Sequence, residues 1–339
     1  MHPEMSLVFL TVLSGVGQGI FTVLVILDTL YMGTGRITPS FIYLAGAISL
    51  LFPLMGMTAS FFHLGNPQRG WKAILMWKNS WLSREVIFLP AFLALNFAYL
   101  LSFYLGLPDI IRIFAGFLGI LASLGLYISS AMLYAAIRYV KEWSNAFTPV
   151  NFVLFGITSG LAVLLAVHRY TNHDIAIGDG LANLLSLLAS FSLILKALTY
   201  QHDVNIYPEL NMKNALGIND PNIKMMDMGT AYDHYNTKEY FFPITVRQNV
   251  AQQMAVLVAA FFLPMLMAIV VSMVPSLPFA PVLLTIGAIS MVGGLIIERR
   301  LFFIQGNHLQ NLYYGNYRMN MVQNPVASKA RKGTPVPKQ

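Results

Sequence analysis

Eight long runs of apolar residues, separated by polar segments, constrain this chain more than any other feature of its sequence. A helix of about 20 mostly apolar residues spans the hydrocarbon core of a bilayer. In lipid the backbone polar groups of a span must be satisfied internally, so isolated runs of this kind fold as helices. The runs cover residues 6–32, 38–62, 84–106, 109–137, 148–168, 176–200, 247–274 and 279–304. They predict an all-α, polytopic membrane protein with eight transmembrane helices.

The composition agrees with a chain that has little soluble mass. Of its 339 residues 56% are hydrophobic and only 10% are charged, whereas soluble proteins carry about 25% charged residues. The net charge of +7 is scattered over loops between apolar runs, which favours a lipid bilayer over nucleic acid as the partner. Without cysteine the chain supplies no thiolates for an iron–sulfur cluster or a zinc site. The seven histidines fall at helix ends or in loops, which is not the deep, facing placement that bis-histidine haem needs.

The distribution of lysine and arginine over the loops predicts the orientation of the chain in the membrane. An even number of spans puts both termini on one side, and that side receives 18 of the 21 basic residues. The positive-inside rule then places both termini in the cytoplasm, together with the loops 63–84 and 201–246. We therefore expect a transmembrane domain over 1–304 in the cell inner (cytoplasmic) membrane, and a cytoplasmic tail over 305–339. The aromatic content of the 201–246 loop favours an ordered docking surface.

One polar stretch carries the densest candidate chemistry: FFHLGNPQRGWKAILMWKNSWLSRE, residues 61–85. A quinone is a flat ligand that resides in the bilayer, with two carbonyls that accept hydrogen bonds and a reduction that needs two protons. His63 ends the second run, and a neutral histidine near pKa 6.5 both donates hydrogen bonds and exchanges protons. The alternative is an interfacial histidine that only caps the helix.

Glu85 is predicted at the start of the third span, where two roles are open. It is suited to carry protons from water to His63, with Arg84 or Arg69 as an ion-pair partner. It equally suits a helix N-terminus, where an acid in the first turn interacts favourably with the macrodipole.

Gln18 stands in the first span within the segment GVGQG. Small residues allow helices to approach closely, so this segment favours a packing face, although Gln18 also has the length to reach a ligand. Glu298–Arg300 is typical of an ion-paired helix terminus. The tryptophans of the 61–85 stretch fit an aromatic belt or the wall of a flat ligand site.

Two other classes remain as alternatives. A secondary transporter has broken helices and buried charges at the bilayer midplane. Pro53, Pro90 and Pro264 are the possible breaks, but charges are nearly absent from the middle of the runs. A purely structural anchor without a quinone site is the other alternative.

The segment HLGNPQRGWKAILMWKNSWLSRE resembles the signature of the DmsC family, the membrane anchor subunits of dimethyl sulfoxide reductase and related molybdopterin enzymes. Further matches are MHPEMSLVFL…GVGQG, FTPVNF at 147–152 and ERRLFF…GNH…LYYG. The resemblance implies a subunit without its own redox centre that binds menaquinone or ubiquinone. Its implied partners are a molybdopterin catalytic subunit and an iron–sulfur subunit with four clusters. The family's quinone-site histidine matches His63 and its glutamate matches Glu85.

The 201–246 loop is longer than in dimethyl sulfoxide reductase anchors and resembles anchors of membrane-bound sulfite-oxidising enzymes. Together with docking on the cytoplasmic face, this favours quinone reduction with electrons from sulfite. The alternative is a menaquinol-oxidising anchor of a dimethyl sulfoxide reductase. In either case we expect His63 to bind a quinone carbonyl and Glu85 to exchange protons. Gly65, Arg69 and Trp71 shape the pocket or its partner-facing rim, and Gln18 is a further ligand.

Overall fold

The computed structural model describes residues 4–61, 67–172, 174–206, 244–274 and 277–312, with a few isolated positions between 216 and 242. This described part contains helices and no strand, and eight of the helices are long and apolar enough to cross a membrane. The predictions of an all-α class and eight spans are therefore confirmed. The protein is a multi-pass membrane protein.

The eight helices lie close to the predicted runs. They are α1 Met5–Leu30, α2 Pro39–Ser60, α3 Trp81–Tyr104, α4 Asp109–Ala135, α5 Phe147–Thr171, α6 Ile175–Ile206, α7 Val246–Met273 and α8 Ala280–Gln305. Most boundaries lie within three residues of the sequence expectation, and the largest difference is at the end of α6, which continues six residues further. The segment between α2 and α3 also contains a 3₁₀ helix, Pro67–Met76.

Local sequence signals explain where several helices begin and end. The side chains of Thr38 and Ser80 accept hydrogen bonds from the backbones of Phe41 and Ser83, capping α2 and α3. Thr245 opens α7 with a capping box, the reciprocal arrangement that satisfies two otherwise free backbone donors. Gly106 follows α3 with φ +61°, a conformation that only glycine adopts without steric cost.

None of the three prolines breaks its helix. α2 and α3 continue through Pro53 and Pro90. In α7 the backbone widens into a π-helical turn, Leu257–Phe262, just before Pro264. Proline has no N–H to donate, and the carbonyl of Ala259 accepts a 2.8 Å hydrogen bond from the hydroxyl of Ser290 on α8 instead. The broken helices expected of a transporter are therefore not found at these three prolines.

Helices α1 and α5 form the centre of the bundle. Of the residues in their apolar windows 78% and 72% are buried, against 28–39% in the other six helices. Their backbones meet where Gly19 faces Gly156 and Gly160, so closely that a methyl group at Gly19 would collide with the Gly156 carbonyl. The GVGQG segment is therefore a packing face, as predicted.

Side-chain contacts identify the two ends of the bundle. Val8, Val140, Trp143 and Phe303 form one buried cluster, which brings the start of α1, the α4–α5 segment and the end of α8 together. We call this the basic end; it comprises residues 4–8, 67–81, 136–146, 200–206 and 300–312. At the opposite end, ion pairing between Arg36 Nε and Asp174 Oδ2 at 2.7 Å links the α1–α2 and α5–α6 connections.

Candidate functional site

The candidate site is a small polar cavity inside the bundle, in its basic half. Its walls come from α1, α3, α4, α5 and α8, and its volume is about 30 Å³. A water molecule needs about 10–15 Å³ measured in this way, so the cavity has room for about two. The polar or charged residues that line it are Thr11, Ser14, Gln18, Glu85, Tyr127, Ser130, Ser159 and Arg299.

Glu85 is one of two predicted site residues that the structure brings to this cavity. It lies in the second turn of α3, about 6 Å from the helix start at 1.5 Å per residue, and is 9% exposed. Its Oε1 accepts a 2.6 Å hydrogen bond from Ser130 Oγ on α4. The carboxylate therefore points into the bundle and is held by a neighbouring helix. This placement disfavours the interpretation as a first-turn acid on the helix macrodipole.

Arg84, one of the two ion-pair partners considered for Glu85, does not pair with it. The guanidinium of Arg84 turns outward, donates to the backbone carbonyls of Trp77 and Lys78, and lies 4.1 Å from the Trp81 ring centroid. Arg84 therefore anchors the end of the α2–α3 segment to the start of α3, and its guanidinium is directed to those carbonyls and not to the buried carboxylate.

Gln18 is the second predicted residue on the cavity wall. Its neighbours Gly17 and Gly19 face α2 and α5, and this close packing buries Gln18 to 2% exposure. Gln18 Oε1 and the nearby Ser14 Oγ have no hydrogen-bond partner in the described residues. Buried polar atoms are normally hydrogen-bonded, so the cavity offers two groups suited to water or a ligand. Packing and ligand access are thus compatible at this position.

Arg299 was missed as a site residue, since the sequence favoured an ion-paired helix terminus. Its guanidinium lies 3.7 Å from the Phe152 ring centroid, and its Nε lies 3.7 Å from Glu298 Oε2. That separation is within ion-pair range but too long for a hydrogen bond. Arg299 is therefore a buried cation that reaches the same cavity as Glu85. The run Glu-Arg-Arg late in the last span was the only signal of it in the sequence.

The other predicted site residues do not line this cavity. Arg69 is exposed and Trp71 is 62% exposed, on the 3₁₀ helix Pro67–Met76. Lys72 Nζ lies 5.9 Å from the centroid of the Trp71 ring. These residues form a surface beside the start of α3, outside the cavity. His63 and Gly65 lie outside the described residues.

The geometry suits a site that binds a hydrogen-bonding ligand and moves protons. A carboxylate, a guanidinium and an amide converge there from α3, α8 and α1, in a wall that also carries hydroxyl and apolar side chains. No group of three or more histidine or acidic side chains suited to holding a metal ion occurs in the described residues.

Comparison with known proteins identifies the relatives of this chain. A family model described as "DMSO reductase anchor subunit (DmsC)" matches residues 1–315. The chain is also 33% identical over 331 residues to a protein of Allochromatium vinosum that is named as a subunit of sulfite dehydrogenase. That alignment covers 93% of this chain and 99% of the relative. The resemblance found in the sequence is thereby confirmed along nearly the whole chain.

Proposed function

Because the chain belongs to the DmsC family of membrane anchor subunits of molybdopterin oxidoreductases, we propose that it binds a membrane quinone. It passes electrons between the quinone pool and an iron–sulfur partner subunit. The observation that carries the proposal is the polar cavity, where Gln18, Glu85 and Arg299 meet inside an apolar bundle. Such groups are costly to bury in lipid and mark functional sites by default.

The unsatisfied polar atoms fit the needs of a quinone, which supplies a two-electron, two-proton acceptor when bound. Within the described part of the chain, the unpartnered Arg299 Nε is a hydrogen-bond donor suited to a quinone carbonyl, whereas the unpartnered Gln18 Oε1 is an acceptor suited to a quinol hydroxyl or a water. Glu85 is the group suited to give or take a proton. In this proposal His63 donates to one carbonyl, and Gly65, Arg69 and Trp71 shape the rim towards the partner.

The small volume of the cavity limits where the quinone ring can bind. Ligand pockets are usually about 300–1,000 Å³, and this cavity of about 30 Å³ is much smaller. Its half-buried wall residues include Thr11 on α1 and Ser130 on α4. We therefore place the head group at the edge of the cavity, beside Glu85. The cavity itself then holds water next to the reacting carbonyl.

The partner subunits and the direction of electron transfer follow from the same proposal. The basic end faces the cytoplasm of a cell whose inner membrane holds the protein. There it docks a four-cluster iron–sulfur subunit and a molybdopterin catalytic subunit. Electrons from sulfite reduce the quinone, since the relative that matches 93% of this chain is named as part of a sulfite dehydrogenase. The name of the family model supports the second candidate, in which the chain oxidises menaquinol for a dimethyl sulfoxide reductase.

Purification in mild detergent tests the assembly. The tagged chain is expected to retain the two soluble subunits and an extractable quinone, identified by mass spectrometry. The identity of the catalytic subunit and its activity with sulfite or dimethyl sulfoxide decide between the two candidates. A chain that purifies without either subunit would remove the assignment.

The orientation has a separate test that exploits the absence of cysteine from the sequence. Single cysteines are introduced by Lys78→Cys at the basic end and Leu107→Cys at the opposite end. In intact cells a membrane-impermeant maleimide should label only the second variant, while both become labelled after the inner membrane is permeabilised. Labelling of the Lys78→Cys variant alone in intact cells would reverse the orientation.

A further inference from the structure

A second polar cluster lies next to the candidate cavity, nearer the surface of the basic end. It contains three carboxylates and two cations: Glu142, Asp203, Glu298, Lys196 and Arg299. They surround a cavity of about 10 Å³, which is room for about one water molecule. The walls come from α5, α6, α8 and the segment 136–146 between α4 and α5.

The two cavities share a wall. Arg299 and Phe152 line both of them, with the guanidinium stacked over the ring. Arg299 thus reaches from the Glu85 cavity to the second cluster. A chain of polar groups therefore runs through the basic half of the bundle.

The cluster extends from the surface of the basic end into the bundle. Asp203 lies three residues before the end of α6 and Lys196 ten residues before it, which correspond to about 5 and 15 Å at 1.5 Å per residue. Lys196 Nζ donates a 2.5 Å hydrogen bond to Glu298 Oε1. This ion pair is therefore the inner part of the cluster, and the two other carboxylates are the outer part.

The outer carboxylates are buried and incompletely paired. Glu142 is 4% exposed and Asp203 is 8% exposed. Within the described residues, no well-aligned hydrogen bond reaches either carboxylate oxygen of Glu142, and none reaches Asp203 Oδ1. An ionised carboxylate with incomplete hydrogen bonding is costly to bury, so these side chains favour a bound proton or a water molecule.

The charge balance also favours a bound proton. Three ionised carboxylates and two cations would leave one uncompensated negative charge in the cluster. Burial raises the pKa of Glu142 to about 7, and the nearby Asp203 charge acts in the same direction, opposed by hydrogen bonding from Asn307. A group that titrates near neutral pH is well suited to exchange protons.

We propose that this cluster conducts protons between the water at the basic end and the Glu85 cavity. Glu142 and Asp203 take up the proton from water, the ordered water carries it past the Lys196–Glu298 pair, and Arg299 borders its exit beside Glu85. For each quinone reduced, two electrons come from the partner's iron–sulfur clusters. Two protons from water form the two O–H bonds of the quinol. This inference rests on the proposed function.

Lys196 and Arg299, the two cations of the cluster, each have a defined role in proton conduction. Two uncompensated positive charges would repel a passing proton. The Lys196–Glu298 pair cancels one of them, and the shared negative charge of Glu142 and Asp203 offsets Arg299. Other titratable groups near the outer part of the route are the Tyr200 hydroxyl on α6, His202 beside Phe147, and His308 stacked on Tyr139. None of these three lines the second cavity, whereas the Tyr127 hydroxyl lines the Glu85 cavity.

The test uses the whole complex with Glu142→Gln, Asp203→Asn and the double variant. Glu4→Gln is the matched control, because Glu4 is an exposed carboxylate at the same end without a side-chain capping bond. We expect the double variant to lose on the order of 10²-fold in quinone turnover, with an increased solvent isotope effect. Turnover with a soluble electron acceptor should stay unchanged. Asp203→Glu should restore part of the quinone rate.

An infrared titration of the resting complex supplies a readout other than activity. A carboxylic acid band that titrates near pH 7 should be present in the unmodified complex and absent from the Glu142→Gln variant. Absence of this band from the unmodified complex would overturn the inference, even where a variant fails to assemble. A double variant with the normal quinone rate and pH profile would also overturn it. A natural complex without any quinone turnover would instead overturn the proposed function.

Discussion

Ser130 on α4 donates a 2.6 Å hydrogen bond to Glu85 on α3, inside the basic half of the bundle. The two residues are 45 positions apart in the chain. The bond fixes a carboxylate at the cavity that Gln18 and Arg299 also line. A buried acid held in this way serves proton exchange better than it serves helix capping.

Replacement of Glu85 tests that role. Glu85→Gln keeps the size and the hydrogen bond to Ser130 but removes the exchangeable proton, so we expect quinone turnover to fall on the order of 10²-fold. The complex should still assemble and reduce a soluble acceptor. Ser130→Ala keeps the carboxylate and should lose much less. Quinone turnover at the natural rate in the Glu85→Gln variant would show that Glu85 is not needed for proton exchange.

Arg299 and its neighbour Arg300 form a matched pair of substitutions. Arg299→Gln removes the buried cation at the cavity, whereas Arg300→Gln removes a cation whose Nη1 lies 3.4 Å from Gln252 Oε1, away from the cavity. A hydrogen bond from a charged group contributes about 1.5–3 kcal/mol. The KM for quinone should therefore rise about tenfold or more in the first variant only. An equal KM for quinone in the two variants would contradict the assignment of Arg299 to the quinone site.

The contact between α1 and α5 predicts a pair of glycine substitutions with opposite effects. Gly19→Ala places a methyl group against the Gly156 carbonyl, and overpacking of this kind costs about 1–3 kcal/mol. Gly293→Ala on α8 meets nothing within 4 Å and should be neutral or slightly stabilising, because alanine favours helix. Thermal unfolding in detergent measures both. A midpoint in the Gly19→Ala variant at or above the natural one would contradict the close packing.

Glu142 predicts a pH dependence of stability. Its pKa is raised from the ordinary 4.5 to about 7 by burial, so the native state binds this proton more tightly than the unfolded chain does. The free energy of unfolding therefore falls as pH rises from 4.5 to 7, by up to about 3 kcal/mol, and stays lowered above pH 7.

Glu142→Gln should remove that fall. Compared with the natural chain, it should raise the unfolding midpoint at pH 8 and leave it unchanged near pH 4.5. The control Glu4→Gln should keep the natural dependence. Parallel pH curves for Glu142→Gln and the natural chain would contradict the burial of an ionisable Glu142.

Hydrophobic runs predicted the fold well because each span must satisfy its own backbone in lipid. The sequence also singled out two residues that line the cavity: Gln18 as a polar residue within an apolar run, and Glu85 as part of the polar 61–85 stretch. The roles of Ser130, Arg299 and Lys196 were not recognised. Ser130 and Lys196 act through partners 45 and 102 positions away, and no local pattern reveals which helices bring such residues together.

The measurement that tests the central claim most directly is sulfite-driven quinone reduction by the purified complex carrying His63→Ala. Our account predicts that both soluble subunits remain bound, that sulfite still reduces a soluble acceptor at the natural rate, and that quinone reduction is lost. Quinone reduction at the natural rate in this variant would contradict the role that we propose for His63 in quinone binding.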